Sequence, residues 1–233
     1  MKTIVFFFVF SISLVAMGLP QEYYKITNGK KSKEYFFKYI LKITKKENSK
    51  ILQDRFFVQN IYLNISKIPK QSPVYKRFIS IGKKYELKKD APLKDYLTTI
   101  DMIPNSLVLA QAAIESGWGK SRFTKEANNI FGHWTWDGNG LDPKNRDIGK
   151  THQIRIFSSI RASIKAYMFN LNLGWGYKLF RKKRYELRIK GIKPTGLELA
   201  PTLINYSQQK EKYVNIIKDI IKRNGLEKYD EIN

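Results

Sequence analysis

Glu115 is the residue whose position carries the most chemistry. It closes a run of Leu107, Val108, Ala110, Gln111, Ala112, Ala113 and Ile114 that suits a largely buried helix, opened by Pro104 and stopped by Gly117. A carboxylate in the last turn of a helix faces the partial negative charge of that end, which disfavours ionisation. Burial beside Ile114 and Trp118 would act in the same direction, raising the pKa towards a value at which the acid is still protonated near neutrality. A carboxylic acid held in a partly apolar cleft is what protonation of a glycosidic oxygen requires.

Flat aromatic surface gathers around the same segment. Trp118, Phe131, Trp134 and Trp136 follow Glu115 closely, and Trp175 and Tyr206 come later. The stretch 128–150 is rich in turn residues (Gly132, Gly138, Gly140, Pro143, Gly149), a setting in which aromatics pack sugar rings or form the small core of a lobe. With no cysteine, disulfide scaffolds, thiolate metal sites and cysteine nucleophiles are excluded. His133 and His152 are too few for a standard zinc site and lack its spacing, so neither metal nor cofactor is expected.

The elements that must position these residues are mostly helical. Residues 21–33 read as a polar, flexible lead, with structure beginning near Glu34. Tyr35, Phe36, Tyr39, Ile40 and Ile43 recur at helical spacing; after a break at 45–50, so do Ile51, Arg55, Phe56, Gln59 and Tyr62, which predicts two helices. Shorter helices are predicted around 78–85 and 93–100, then the helix bearing Glu115. A loop or hairpin lobe at 128–150 leads to an alternating run at 151–157, and helices follow at 163–173, 197–204 and 213–221.

The chain of 233 residues carries 43 Lys plus Arg against 20 Asp plus Glu, a net charge of +23, and 42% of it is apolar. That suffices for one domain core, with the positive charge spread along the chain, as suits an anionic polymer outside the cytoplasm or simply a solvated lysine surface. Lys2 and the uncharged apolar run 4–17, ending in Ala16-Met17-Gly18, read as a signal peptide of residues 1–18, too short to span a bilayer. An uncleaved membrane tether is the alternative; either way export to the periplasm, cell envelope or exterior is expected, which makes nucleic acid an improbable partner.

Gln111-Ala112-Ala113-Ile114-Glu115-Ser116-Gly117-Trp118-Gly119 followed by Asn128-Asn129-Ile130-Phe131-Gly132 resembles the signature of glucosaminidase-domain peptidoglycan hydrolases, glycoside hydrolase family seventy-three. The segment from Ile154 to Tyr167 and the later Tyr206 and Tyr213 resemble the same family. Within it, Asp101-Met102-Ile103-Pro104-Asn105-Ser106-Leu107, Trp134-Thr135-Trp136, Asn170-Leu171-Asn172 and Tyr229-Asp230 look most like the bacterial Bax-type proteins. The resemblance implies a mainly α, lysozyme-like domain with a small β-lobe at 101–233, preceded by a basic helical segment at 19–100. It implies hydrolysis of the N-acetylglucosaminyl β-1,4 bond of peptidoglycan glycan strands, with Glu115 as acid and Tyr206 in the cleft; separately, nothing in the sequence suggests a coiled coil, and a monomer is expected. Ser116, Trp118, Asn129, Phe131, Trp134, Trp136 and Tyr213 are the substrate-binding positions it suggests.

The second carboxylate departs from the pattern, because no Glu lies between Glu126 and Glu186. Of Asp137, Asp142 and Asp147, Asp142 lies nearest the position counted back from Arg155, while Asp147 stands in a segment of Bax-type character and is preferred. Without a second carboxylate, assistance by the substrate acetamido group becomes plausible. A lytic transglycosylase and a non-catalytic wall-binding protein are the competing readings.

Overall fold

The computed structural model describes residues 18–143, 149, 151–204, 206 and 210–231; the apolar run at 4–17 and Asp147 lie outside them. Two short features open the chain. Helix α1 (Gln21–Tyr24) buries Tyr23 completely, and Leu19 before it is also buried. Residues 21–33 are therefore not a flexible lead: their aromatic rings give the polar stretch a face to bury.

Helix α2 (Gly29–Ile61) is a single 33-residue helix, about 50 Å long. Asn28 caps it by accepting from the Lys31 N–H at 3.0 Å. The break expected at 45–50 is absent because its polar residues serve tertiary contacts. Asn48 donates to the Ile103 carbonyl at 2.8 Å and accepts from the Ile103 N–H at 2.9 Å, and Glu47 accepts from Arg161 at 2.6 Å. Helices α3 (Pro73–Lys84) and α4 (Leu93–Thr99) follow, the first capped by Ser72.

Helix α5 (Asn105–Glu115) buries every residue from Asn105 to Ala113, so it is enclosed on all faces, chiefly by α2 and the C-terminal helices. Then come α6 (Arg122–Ala127), not foreseen from the sequence, and a small antiparallel sheet of β1 (Trp134–Thr135), β2 (Gly140–Leu141) and β3 (Gln153–Arg155). Its order is β1-β3-β2, with Trp134 opposite Ile154 and Gly140 opposite Arg155. Helices α7 (Ile160–Leu173), α8 (Lys178–Ile189), α9 (Gly196–Leu199) and α10 (Glu211–Arg223) complete a mainly α, lysozyme-like architecture. Helix α8 was also unforeseen. One apolar core runs from Leu19 to Leu226, across the 100/101 boundary read from the sequence.

Charged residues fasten the N-terminal side of α5. Asp101, just before it, is buried and chelated by Arg188 through two 3.0 Å hydrogen bonds, with Arg55 at 3.7 Å and Arg184 at 3.9 Å. Arg184 is itself fully buried and also donates to the carbonyls of Thr98, Asp101 and Met102. At the first turn of α5, the Asp230 carboxylate accepts from the Ser106 N–H at 2.8 Å, the Ser106 hydroxyl at 2.5 Å and the Gly196 N–H at 2.9 Å. A Cβ at Gly196 would collide with Ser106 Oγ, so glycine lets α9 approach this closely.

The arginines hold the Asp101 carboxyl below its ordinary value of 3.8 despite burial. Its pairing therefore stabilises the fold fully above the unfolded value of 3.8, and that stability is lost as pH falls from there through the lower folded-state pKa. Asp101→Ala strands three guanidinium groups and is expected to lower unfolding free energy by about 3–5 kcal/mol in urea denaturation.

Candidate active site

Glu115 is the last residue of α5 and is half-buried. The Tyr213 hydroxyl, reaching from the first turn of α10, donates to Glu115 Oε1 at 2.6 Å. Gln111, one turn before Glu115 on the same helix, donates from Nε2 to the Tyr213 oxygen at 2.9 Å. Tyr167 of α7 in turn donates to Gln111 Oε1 at 2.5 Å. Rings fix this line of groups: Phe131 stacks on Tyr167 with centroids 3.8 Å apart, and Tyr206 stacks on Tyr213 at 5.3 Å. Tyr177 lies 6.2 Å from Tyr206.

Burial raises the Glu115 pKa above its ordinary value of 4.5, and the Tyr213 hydrogen bond opposes that shift without cancelling it. The Tyr167, Tyr177, Tyr206 and Tyr213 hydroxyls are all pushed up, first by burial and further by the nearby carboxylate charge. These tyrosines remain protonated donors throughout the range in which Glu115 titrates. The arrangement presents one acid with an elevated pKa in a wall of neutral hydroxyls.

The turn after Glu115 is left-handed at three successive residues, with φ of 54° at Gly117, 60° at Trp118 and 78° at Gly119. A tryptophan in that region is strained, and its surroundings hold it there. Ser116 Oγ donates to the Ala112 carbonyl at 2.5 Å and accepts from the Gly119 N–H at 2.6 Å. The Tyr23 hydroxyl donates to the Trp118 carbonyl, and Tyr24 donates to that of Gly119 at 3.3 Å. The Trp118 ring meets Phe37 edge-on at 5.2 Å and Phe36 at 6.0 Å, with the Lys33 ammonium 4.6 Å from its centroid. Ser116 and Trp118 thus hold the turn that carries Glu115, the serine buried and the tryptophan partly buried against the core.

Asn129 is buried and joins the lobe to the domain. Its Nδ2 donates to the carbonyls of His133 at 2.9 Å and Arg155 at 2.8 Å, and its Oδ1 accepts from the His133 N–H at 3.0 Å. Trp134 and Trp136 stand two residues apart, 56% and 67% exposed, with centroids 6.1 Å apart, and His152 lies 4.4 Å from Trp134. Trp175 is 80% exposed. His133 is pushed down to about 4 by burial and the Arg155 charge, and no His, Asp or Glu cluster suited to a metal occurs among the described residues. Asp137 is exposed and accepts from the Asn139 N–H, while Asp142 accepts from Gln153 at 3.1 Å.

The structure therefore gathers Glu115, Tyr206 and Tyr213 and adds Gln111, Tyr167 and Tyr177, which the sequence reading did not assign to the site. Gln111 opens the signature motif and Tyr167 closes the segment that resembles the same family, and neither position by itself revealed a contact with the acid.

The fold is mainly α and lysozyme-like, and similarity to known proteins places the chain among the glycoside hydrolases. Residues 92–226 match the glucosaminidase family, described as mannosyl-glycoprotein endo-beta-N-acetylglucosaminidase, and the chain belongs to that family. It is 30% identical over 199 residues to Protein bax of Escherichia coli (strain K12), covering 83% of this chain and 70% of that protein. It is also 27% identical over 137 residues to the exo-glucosaminidase LytG of Bacillus subtilis (strain 168), covering 55% and 46% respectively. No solved structure gives a significant match.

The two glycines of the turn separate strain from crowding. At Gly119 the φ is left-handed and a Cβ would come within 2.9 Å of Leu19 Cδ1, whereas at Gly117 the space is open. Gly117→Ala is expected to lose about 1–2 kcal/mol in thermal unfolding from its left-handed φ alone, and Gly119→Ala more, because crowding adds to the same strain.

Proposed function

We propose that this protein is an exported peptidoglycan hydrolase that cleaves the N-acetylglucosaminyl β-1,4 bond with Glu115 as general acid. The observation that carries the reading is a half-buried carboxyl at a helix C-terminus, its pKa raised by burial, under the hydroxyl of Tyr213. As the C1–O bond of the sugar breaks, the Glu115 proton passes to the departing oxygen and positive charge develops on the sugar ring. The resulting carboxylate is stabilised by the hydrogen bond that Tyr213 already makes.

Attack on C1 comes from water guided by Asp147 or from the substrate's own acetamido oxygen, and orienting either group is the role proposed for the Tyr206 hydroxyl. Trp134 and Trp136 offer exposed ring faces for the C–H faces of neighbouring sugars. The charge of +23 favours a negatively charged wall. The apolar run before Gly18 supports export, with a membrane tether if it stays attached, and no described helix is long and apolar enough to cross a membrane. The family description, an endo-beta-N-acetylglucosaminidase, supports the N-acetylglucosaminyl bond, and the Bacillus relative is named an exo-glucosaminidase.

Purified sacculi incubated with the protein are expected to release muropeptides ending in reducing N-acetylglucosamine, read by mass spectrometry. Anhydro-muropeptides would instead identify a lytic transglycosylase, and retention on sacculi without soluble product a binding protein. Glu115→Gln is expected to cut release by about 10²–10⁴-fold while the protein stays folded. Because the acid must be protonated, activity should fall as pH rises through a value above the ordinary 4.5.

A further inference from the structure

Gln111 and Tyr167 take no part in the acid step, yet both stand in one hydrogen-bonded line with it. We propose that Gln111 is a positioning residue: it sets the direction of the Tyr213 hydroxyl and so makes Oε2 of Glu115 the oxygen that carries the transferable proton. The inference rests on Glu115 acting as the acid.

An amide nitrogen can only donate, so the Tyr213 oxygen accepts from Gln111 Nε2 at 2.9 Å, and its single proton is directed to Glu115 Oε1 at 2.6 Å. Oε1 is then an acceptor whether Glu115 is charged or neutral, and the proton of the neutral acid sits on Oε2. Tyr167 pins the amide in this orientation by donating to Gln111 Oε1 at 2.5 Å. Tyr167 is itself held by the stacked Phe131 ring.

With the amide reversed, Tyr213 would give its proton to Gln111 and turn a lone pair toward an ionised carboxylate 2.6 Å away. Gln111, Tyr167 and Tyr213 are buried, so water cannot substitute for a missing partner without disturbing the packing. Within such a line each bond polarises the next, and the Gln111 donor makes Tyr213 the better donor to Glu115.

The test is a carbon-detected NMR titration of the Glu115 carboxyl, which reads the group without substrate. Tyr213→Phe should raise the Glu115 pKa by about half a unit or more, since a bond to the charged form is lost. Gln111→Met should raise it by a smaller step, and by nothing further in the Tyr213→Phe background. A Gln111→Met shift that is absent, or equal in both backgrounds, would overturn the proposal. Should Gln111→Met not fold, Tyr167→Phe keeps the amide and removes its pin; a small upward shift is expected, again absent beside Tyr213→Phe. Failure of the functional reading shows separately, as undiminished sacculus hydrolysis by Glu115→Gln.

Discussion

The enclosure of α5 is the constraint on which the rest depends. A helix buried on every face can present a functional side chain only at its end, and Glu115 is that end. The same enclosure removes water from one side of the carboxyl, which raises its pKa above the ordinary value of 4.5. Burying this helix also forces its polar termini to find partners within the protein. Asp230 meets the need at one end by accepting the Ser106 N–H, and Ser116 meets it at the other by donating to the Ala112 carbonyl. The chemistry and the stability of the domain therefore share one element.

That arrangement explains why residues 18–61 are integral to the domain. The Gly117–Trp118–Gly119 turn is strained, and what holds it in place comes from Leu19, Tyr23, Tyr24, Phe36 and Phe37. The other end of α2 contributes Arg55 to the Asp101 cluster, so a single long helix braces both the acid-bearing turn and the entry to α5. Positive charge is used here as a fastener, with Arg55, Arg184 and Arg188 converging on one carboxylate and on the backbone carbonyls beside it. The cluster is worth keeping only while complete, since a buried guanidinium without its partner costs more than the pair contributes.

How far the sequence was legible follows from where each signal resided. Helix α5 and Glu115 were readable because an apolar run between Pro104 and Gly117 states both the burial and the stop. The β-lobe and α10 were readable from glycine punctuation and from the Tyr213–Ile221 periodicity. Helix α8 was hidden because its buried stripe of Phe180, Arg184 and Leu187 includes an arginine within a strongly charged segment. The continuity of α2 was hidden for the same reason, its middle burying Glu47 and Asn48 for polar contacts. At the site, motif position marked Ser116, Trp118 and Asn129 as important without revealing that their side chains serve the turn and the lobe. The line from Tyr167 to Glu115 joins helices distant in sequence, and only the fold brings them together.

The most direct measurement is a crystal structure of Glu115→Gln with a bound peptidoglycan tetrasaccharide. The account predicts a glycosidic oxygen within hydrogen-bond distance of the residue 115 side chain, with sugar faces lying on Trp134 and Trp136. A glycan seated elsewhere, leaving residue 115 and Tyr213 without sugar contact, would contradict it.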